Sequence, residues 1–487
     1  MPAIPPTTDS PAVFTRSMVT RADGLHTTRR GGRVLVVEPL TASWAVLSES
    51  SWRVIAGLTR PTAAEAVVFE AVQQGLTETA ARDLLGAMHR KGFIHLDGRP
   101  HTDPRDLWKR APEVPSFVSV HVVEGCNLRC TYCYADAGAE VNRMPRELMF
   151  EVVEKAIREL PHERLTIDFL GGEPFLLFDE LIEVIRHGNE VADSLGKHVD
   201  WLMQTNGTFL TRERAILLAS LDVGVGVSID GPKALHDKYR PRAGGTGSWD
   251  EVFRNLLTAR DEGLRVAPLA VIHEPHTYAE VLDFFLSHDF EFVRFNYSSV
   301  MGRARDGLEF PPERAEAFAH GFLEMVKHAR SWCETHQRPL RISDLNQMLR
   351  ILVTKERDYM CMRSPCGLGD NILSFGTRGE IYACEEFERN TKATFLLGHT
   401  GDQALPEVVK SSPNYRLLKQ RRVENIPKCS RCQLRQVCGG GCTHKALAYY
   451  GTHMREDPMC RYYQIVFEEL MWMIADDRRL AELLGVL

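Results

Sequence analysis

The chain has 487 residues, 44% of them hydrophobic and 25% charged, which is ordinary for a soluble globular protein with more than one core. A formal net charge of −6 provides no overall basic field, so wholesale binding to nucleic acid or to an anionic membrane is disfavoured. The N-terminus lacks a basic start followed by an apolar run, and no apolar stretch reaches about 18 residues. We therefore expect a cytoplasmic protein of roughly two to four domains, without a membrane span.

The first hundred residues predict a small α+β unit. Residues 1–31 are rich in Pro, Thr, Ser and Arg and predict a flexible N-terminus. Short strands are expected at 33–37, 44–47 and 93–96. The candidate N-caps of three helical patterns are Ser48 or Ser50, Thr62, and Thr77 or Thr79. The third helix would end at Gly92.

A linker near 99–115 precedes a region in which strands and helices alternate. The expected strands are 117–123, 165–170, 199–206, 223–230, 265–272 and 292–297. The helical patterns between them are 146–159, 178–195, 211–219, 248–262 and 277–287. Such alternation predicts βαβ units of the α/β class, and six strands are too few for a closed eight-stranded barrel. We therefore predict a partial (β/α)6 TIM-like barrel, followed by a mainly helical stretch.

The twelve cysteines are strongly clumped. None lies in the first 125 residues, three lie within 126–133, one lies at 333 and eight lie between 361 and 460. In a chain without an export signal, such clumping indicates metal or cluster ligation rather than a disulfide framework.

Cys126, Cys130 and Cys133 have the spacing C-x3-C-x2-C, directly after a predicted strand. Three thiolates can hold three irons of a 4Fe–4S cube and leave the fourth open, and an open metal position is what chemistry requires. A zinc site completed by a distant His is the alternative. The stretch CNLRCTYCY closely resembles the signature of the radical SAM superfamily. In that family an aromatic residue before the third cysteine, here Tyr132, packs against adenine.

A GGEP turn follows one βαβ unit later, formed by Gly171, Gly172, Glu173 and Pro174. In the family this turn meets the amino group of the methionine moiety through backbone carbonyls and the carboxylate. Glycines permit such a close backbone approach. GGEP alone is also an ordinary turn, and its place after the cysteines makes the match specific.

QTNG at 204–207 and VSIDGP at 227–232 end the next two strands, at the edge where α/β folds bind ligands. The resemblance implies contacts to the nucleoside from Asn206, Ser228 and Asp230, although Asp-Gly-Pro is also a common turn. Arg240 or Arg242 would pair with the methionine carboxylate, or either is a solvated loop arginine.

The resemblance implies that S-adenosylmethionine (SAM) is cleaved by one electron to methionine and a 5′-deoxyadenosyl radical, which removes a hydrogen atom from the substrate. The electron would come from a donor such as flavodoxin or ferredoxin.

The C-terminal cysteines match a second pattern. Cys366 is followed by twelve residues, Gly379, four residues and Cys384, and later by Cys429-x2-Cys432-x5-Cys438-x3-Cys442 and Cys460. This resembles the seven-cysteine SPASM domain of radical SAM enzymes that mature peptides and proteins, which usually holds two auxiliary 4Fe–4S clusters. Two zinc sites are the alternative.

The resemblance implies a partition of these ligands, and three 4Fe–4S clusters in all. The outer auxiliary cluster would be held by Cys429, Cys432, Cys438 and Cys460. The inner one would be held by Cys366, Cys384 and Cys442, with Cys361 as the fourth ligand. Without Cys361, the inner cluster would keep an open iron.

Glu385 directly follows Cys384, and in sulfatase-maturing relatives an acidic residue at this place is the proposed general base. The change from Asp to Glu and the adjacent Glu386 leave a solvated acidic turn as an equal alternative. Cys333 matches no motif and is interpreted as a bystander thiol. His444 and His453 are expected to have surface or structural roles.

Residues 32–100 resemble the leader-binding module of peptide-maturation systems, a winged-helix-like fold related to the pyrroloquinoline-quinone chaperone. That module adds a leader peptide as a strand to a sheet edge. The alternative is a DNA-binding winged helix, which the few basic residues of the third helix disfavour.

We therefore expect a radical SAM/SPASM maturase that acts on a precursor peptide or protein and leaves an oxidised or cross-linked residue. Sulfatase-type formylglycine formation is one alternative, and a DNA-binding iron–sulfur redox regulator is another. The expected organisation is a flexible N-terminus at 1–31, a peptide-recognition module at 32–100, the radical SAM core at 112–310, a helical bridge at 311–360, the SPASM domain at 361–465 and a C-terminal helix at 466–487.

Overall fold

The computed structural model describes residues 17–102, 114–138, 142–304, 309–357, 360–386 and 391–486. Predictions for residues 1–16 and for most of the linker lie outside the described residues. Backbone contacts divide the chain into two compact units. One consists of Met1–Ala111, Arg431–Val437 and Glu468–Arg478; the other consists of Pro112–Ser430, Cys438–Phe467 and Arg479–Leu487.

Within residues 17–102, the first unit contains three helices and two small antiparallel sheets around one apolar core. Its strands are β1 Met18–Arg21, β2 His26–Arg30, β3 Arg33–Glu38, β4 Ser43–Ser48, β5 Thr62–Ala63 and β6 Ile94–Leu96. Its helices are α1 Glu49–Ala56, α2 Ala64–Gln73 and α3 Glu78–Arg90. The sheet orders are β2-β3-β4 and β5-β1-β6.

Two of the expected N-caps in this unit are present. The hydroxyl of Ser48 accepts from the backbone N–H of Ser51 at 3.0 Å, and that of Thr77 accepts from Ala80 at 3.2 Å. The expected cap at Thr62 is wrong, because Thr62 lies in β5 and Ala63 occupies the N-cap of α2.

The expected loose N-terminus is too long, because β1 and β2 lie within residues 18–30. β1 pairs with β5 and β6, which are far along the chain, so its local sequence carried no signal for these pairings.

The second unit is built on one ten-stranded sheet in the order β13-β12-β11-β10-β9-β8-β7-β14-β15-β16. The first six of its strands along the chain are β7 Phe117–Val123, β8 Arg164–Gly171, β9 His198–Thr205, β10 Gly224–Ser228, β11 Val266–Ile272 and β12 Phe292–Tyr297. The others are β13 Arg341–Ile342, β14 Ile372–Phe375, β15 Glu380–Tyr382 and β16 Leu396–His399.

Five of the helices among these strands were predicted, and a sixth, Lys233–Tyr239, was not. Those within the barrel are α4 Arg146–Glu159, α5 Phe178–Ser194, α6 Arg212–Ser220, α7 Lys233–Tyr239, α8 Trp249–Asp261 and α9 Tyr278–Leu286. The later ones are α10 Pro312–His336, α11 Ser343–Thr354, α12 Lys392–Phe395, α13 Leu405–Ser411, α14 Pro413–Lys419, α15 Arg435–Cys438, α16 Thr443–Tyr450, α17 Cys460–Asp476 and α18 Leu480–Leu483.

The prediction of an α/β fold with a partial barrel is confirmed. Strands β7 to β12 are neighbours in chain order and pair in parallel, as successive βαβ units require. The outer neighbours of β12 and β7 are β13 and β14, so the six strands do not close on one another. The antiparallel extension β14-β15-β16 was not predicted. Within the described residues, the helices include none with the length and apolar character of a membrane span.

The two faces of each barrel strand are distinguished by the pleat, because side chains alternate along a strand. On β8, Ile167 and Phe169 are buried while Asp168 between them keeps an accessible part. On β12, Val293 and Phe295 are buried, while Arg294 between them is partly accessible. The fold thereby places charged side chains on the face opposite the helix-packed core.

Candidate active site

The loop with the first three cysteines follows β7 and is anchored by backbone hydrogen bonds. The N–H of Arg129 donates to the carbonyl of Pro241 at 2.7 Å, and that of Thr131 donates to Tyr239 at 2.9 Å. Arg303 donates to the carbonyl oxygens of Cys130 at 2.6 Å and Ala137 at 2.5 Å. The loop is thus held from both sides.

The three thiols are free, and they line one cavity. Burial raises the pKa of Cys126, and it raises the pKa of Cys130 to about 12. Bound iron would reverse this, because a coordinating thiol is deprotonated. Three thiols on one anchored loop fit the donor set of a 4Fe–4S cube with one open iron.

The GGEP turn packs directly against the start of the cysteine loop. A Cβ on Gly171 would lie 2.2 Å from the carbonyl oxygen of Val123, and one on Gly172 would lie 2.0 Å from that of Gly125. The N–H of Gly172 donates to Val123 at 2.6 Å, and that of Glu173 donates to Gly125 at 2.9 Å. Both glycines line the cavity, as a close backbone approach to a ligand requires.

The carboxylate of Glu173 is hydrogen-bonded within the chain. It is fully buried, and its carboxylate accepts from the N–H groups of Phe175 and Asn206 and from the hydroxyl of Thr205 at 2.7–3.0 Å. Burial raises its pKa to about 7 against these bonds. Neither Glu173 nor Pro174 is among the described residues that line the cavity. Glu173 therefore ties the turn to β9, and the expected contact of its carboxylate with the methionine moiety stays a prediction.

Asn206 and Ser228 both line the cavity at the ends of β9 and β10. The amide of Asn206 donates to the side chain of Asn127 at 2.8 Å and lies 3.7 Å from the sulfur of Cys126. Gln204 donates to the hydroxyl of Ser228 at 3.1 Å. These polar side chains are positioned together by the parallel register of the two strands.

Tyr132, Asp230 and Arg240 form one buried network. The Tyr132 hydroxyl donates to Asp230 at 2.7 Å, and Nε of Arg240 lies 3.1 Å from the other carboxylate oxygen, which also accepts from Val271. Burial alone would raise the pKa of Asp230, but the charge of Arg240 holds it below its usual value.

This network involves two residues that the sequence predicted to contact SAM, Asp230 and Arg240. Asp230 is only 2% exposed and, among the described residues, it is not one that lines the cavity. Arg240 lines the cavity, but its charge is paired within the chain, and Arg242 is paired with Glu251. Asp230 therefore positions Tyr132 and Arg240, and its expected contact with the nucleoside stays a prediction.

The cavity has a volume of about 260 Å³ and lies entirely within the second unit. Besides the residues already described, Glu385 and Glu386 line it, and the role of Glu385 as a general base stays a prediction. Burial raises the pKa of Glu385 to about 7, with the charge of Arg294 acting in the opposite direction.

Several of the charged and polar lining residues were not assigned a role from the sequence. They are Asp168, Gln204, Arg294, Asn296, Arg303 and Lys445. A signal existed for two of them, because Asp168 and Arg294 interrupt otherwise apolar strands, where a charge is rare unless it has a partner or a function.

Cys361, Cys366, Cys384 and Cys442 lie in one neighbourhood. The thiol of Cys361 hydrogen-bonds to Cys366, which lowers the pKa of Cys366 and, together with burial, raises that of Cys361. Cys361 also interacts electrostatically with Cys442 and Cys384. These four thiols include every residue expected at the inner auxiliary cluster.

The outer set is distributed over three short segments. Cys429 begins a 3-10 turn, Cys438 ends α15 and Cys460 begins α17, while Cys432 accepts from the N–H of Leu434 at 3.4 Å. Within the described residues, no three Cys, His, Asp or Glu side chains converge as ligands of a single metal ion. A 4Fe–4S cube binds each thiolate at a separate iron and does not require such convergence.

The bystander residues are part of the packing. Cys333 is fully buried on α10. His444 is buried and hydrogen-bonded to Thr391 at 2.8 Å, and the backbone carbonyl of His453 accepts from Arg421 at 2.7 Å. These contacts give both histidines structural roles.

Comparison with known proteins identifies the same region. Residues 120–286 match the model of the radical SAM superfamily. A cysteine-type anaerobic sulfatase-maturating enzyme of Clostridium novyi is 24% identical over 361 residues, covering 71% of this chain and 92% of that protein. An AdoMet-dependent heme synthase of Methanosarcina barkeri is 26% identical over 359 residues, covering 72% and 97%.

Among solved structures, Streptococcus suis SuiB bound to its precursor peptide SuiA is similar to 91% of this chain and to 100% of that chain. The TM-score is 0.54 and the sequence identity 14%, so this likeness concerns the fold. With its cysteine loop and GGEP turn lining one cavity of the partial barrel, this chain contains a radical SAM domain over residues 120–286 and is an enzyme.

Proposed function

We propose that this enzyme cleaves SAM reductively and removes a hydrogen atom from a peptide or protein substrate, which leaves an oxidised or cross-linked residue. The observation that carries the proposal is that Cys126, Cys130 and Cys133 share one cavity with the acidic pair Glu385 and Glu386. Generation of the radical and removal of a proton from the oxidised product can then take place in a single enclosed space.

The residues around the cavity would divide this work. Cys126, Cys130 and Cys133 would hold the 4Fe–4S cluster, which together with SAM supplies the 5′-deoxyadenosyl radical when bound. Gly171 and Gly172 would let the backbone approach the methionine moiety, and Asn206, Gln204 and Ser228 would orient the nucleoside. Glu385 would accept the proton lost as the product forms. Such positioning is the protein's main contribution to cofactor chemistry.

The C-terminal cysteines support a maturase over a simpler radical SAM enzyme. We infer that Cys361, Cys366, Cys384 and Cys442 hold an inner auxiliary cluster, and that Cys429, Cys432, Cys438 and Cys460 hold an outer one. These clusters would supply electron-transfer capacity, with an external donor such as flavodoxin or ferredoxin for the first cluster.

Two relatives of this chain are named for different substrates. The Clostridium novyi protein is named for sulfatase maturation and the Methanosarcina barkeri protein for heme synthesis, so relatives at this distance share chemistry rather than substrate. SuiB was solved with a precursor peptide, and its likeness extends over 91% of this chain. That coverage favours a precursor peptide, with sulfatase-type formylglycine formation as the second candidate.

The test is anaerobic reconstitution followed by quantification of 5′-deoxyadenosine after addition of dithionite and SAM. We expect 5′-deoxyadenosine from the wild type and none from the combined Cys126→Ala, Cys130→Ala and Cys133→Ala variant. Cys333→Ala is the matched control, because Cys333 is buried on α10 and does not line the cavity. This variant should still form 5′-deoxyadenosine. Absence of 5′-deoxyadenosine from the reconstituted wild type would refute the proposal.

A further inference from the structure

The inner wall of the barrel carries a carboxyl group that the proposed chemistry does not use. Asp168 lies on β8, in register between Ser119 of β7 and Leu202 of β9, and it lines the cavity. Its Oδ1 is buried and has no hydrogen-bond partner among the described residues. The neighbouring Ser119 hydroxyl donates its hydrogen to Ser374 at 2.8 Å and therefore does not donate to Asp168.

Most other cations of the cavity are already committed to partners. Arg240 is paired with Asp230, and Arg303 donates to two backbone carbonyls. Lys445 donates to the hydroxyl of Tyr297 at 3.1 Å and interacts with Asp457 and Glu386. They therefore do not neutralise Asp168.

Arg294 is the cation that acts on Asp168, and several carboxyls share it. Burial and the charge of Glu385 raise the pKa of Asp168, while Arg294 lowers it. The same guanidinium acts on Glu385 and on Asp344. One guanidinium acting on three carboxyl groups leaves this part of the wall with more carboxyl groups than cations.

We propose that Asp168, with Arg294 and Glu385 beside it, forms a specificity pocket for the residue to be modified, and that this residue has a cationic side chain, Lys or Arg. The inference rests on the proposed function, since it assigns the substrate class of the same cavity. Its basis is the unpartnered Asp168 oxygen and the excess of carboxyl groups around Arg294.

The chemistry of the other side-chain classes fits this pocket less well. An acidic side chain would add a like charge, and an apolar one would leave a buried carboxyl without a donor, which is costly. A Lys or Arg side chain places its charge at the end of a methylene stem. Its charged end can bind Asp168 while its C–H bonds stay in the same cavity as the three cysteines.

The experiment measures binding of small probes to the reconstituted holoenzyme with SAM, by calorimetry or ligand-observed NMR. The probes are the N-acetyl, N-methylamide derivatives of lysine, arginine, norleucine and glutamate. We expect the lysine or the arginine probe to bind. The norleucine and glutamate probes should bind with an affinity at least about tenfold lower, because they cannot form the charge-assisted hydrogen bond. This comparison uses only the wild type.

Asp168→Asn tests whether Asp168 binds the cationic side chain. We expect this substitution to weaken binding of the cationic probe about tenfold. Asp200→Asn is the matched control on the next strand, where the carboxylate pairs with Arg164, and it should bind the probe as the wild type does. Equal binding of norleucine, stronger binding of glutamate, or unchanged binding to Asp168→Asn would each overturn the inference.

A second readout separates this inference from the proposed function. Dithionite is added to the holoenzyme with the probe deuterated on its side chain, and deuterium in 5′-deoxyadenosine is measured. Selective binding of the cationic probe without any 5′-deoxyadenosine would refute the proposed function and would still support the specificity pocket. Formation of 5′-deoxyadenosine without selectivity for the cationic probes would refute the pocket alone.

Discussion

Individual residues at this site show how strongly buried charges depend on their partners. Arg240 is a plausible anchor for a carboxylate when only the sequence is known, because guanidinium groups suit that geometry. In the fold its charge is met by Asp230, which also accepts from Tyr132. Removing one partner of such a pair leaves an uncompensated buried charge, so the three residues act as one unit.

Glu385 is the residue whose role is tested most directly by substitution. We expect Glu385→Gln to retain 5′-deoxyadenosine formation and to lose most of the modified product, because the amide cannot accept the departing proton. The measurement compares 5′-deoxyadenosine with the mass change of the peptide substrate. Glu386→Gln is the matched comparison, since both carboxyl groups line the cavity. Unchanged product in Glu385→Gln, with product lost in Glu386→Gln, would transfer the role to Glu386.

At the scale of elements, the GGEP turn packs closely against the backbone of the cysteine loop. Its two glycines lie against backbone carbonyls of the cysteine loop, which cannot move aside as a flexible side chain can. The position of the turn at the end of β8 thereby fixes the spacing between the turn and the loop.

Gly172→Ala is expected to displace this contact, because its Cβ would lie 2.0 Å from the carbonyl oxygen of Gly125. Overpacking of this kind costs about 1–3 kcal/mol. We expect a lower thermal unfolding midpoint and weaker binding of SAM, measured by calorimetry on the reconstituted protein. Gly401→Ala is the control, since a Cβ there meets nothing within 4 Å. Equal effects of the two substitutions would contradict the proposed close packing.

At the scale of the whole molecule, eleven of the twelve cysteines are assigned to three proposed clusters. The twelfth, Cys333, is a buried residue of α10. The inner set draws on residues between 361 and 442, so its assembly depends on a long stretch of the second unit being folded. Cluster content therefore reports on the fold as well as on the ligands.

Reconstituted protein should contain about twelve irons and about twelve sulfides per chain, as three 4Fe–4S clusters require. The variant lacking Cys126, Cys130 and Cys133 should retain about eight of each. Metal analysis and electron paramagnetic resonance check both values. Zinc in place of iron at any of the three sets would contradict the assignment of that set.

Much of this protein is determined by sequence patterns of short range. The alternation that predicted β7 to β12 arises from the backbone periods of strand and helix, which neighbouring residues suffice to reveal. The spacing of Cys126, Cys130 and Cys133 is likewise local, and it led to the radical SAM recognition that the family match confirms.

Only the tertiary structure decided which distant groups meet. The pairing of β1 with β5 and β6, the burial of Glu173 under β9 and the pairing of Arg240 with Asp230 all join residues from separate elements. The same holds for Asp168 and Arg294, which lie on different strands of one barrel wall. A side chain's local sequence sets its chemistry, whereas its partner depends on how the whole chain packs, and partners decide which charges remain available for a substrate.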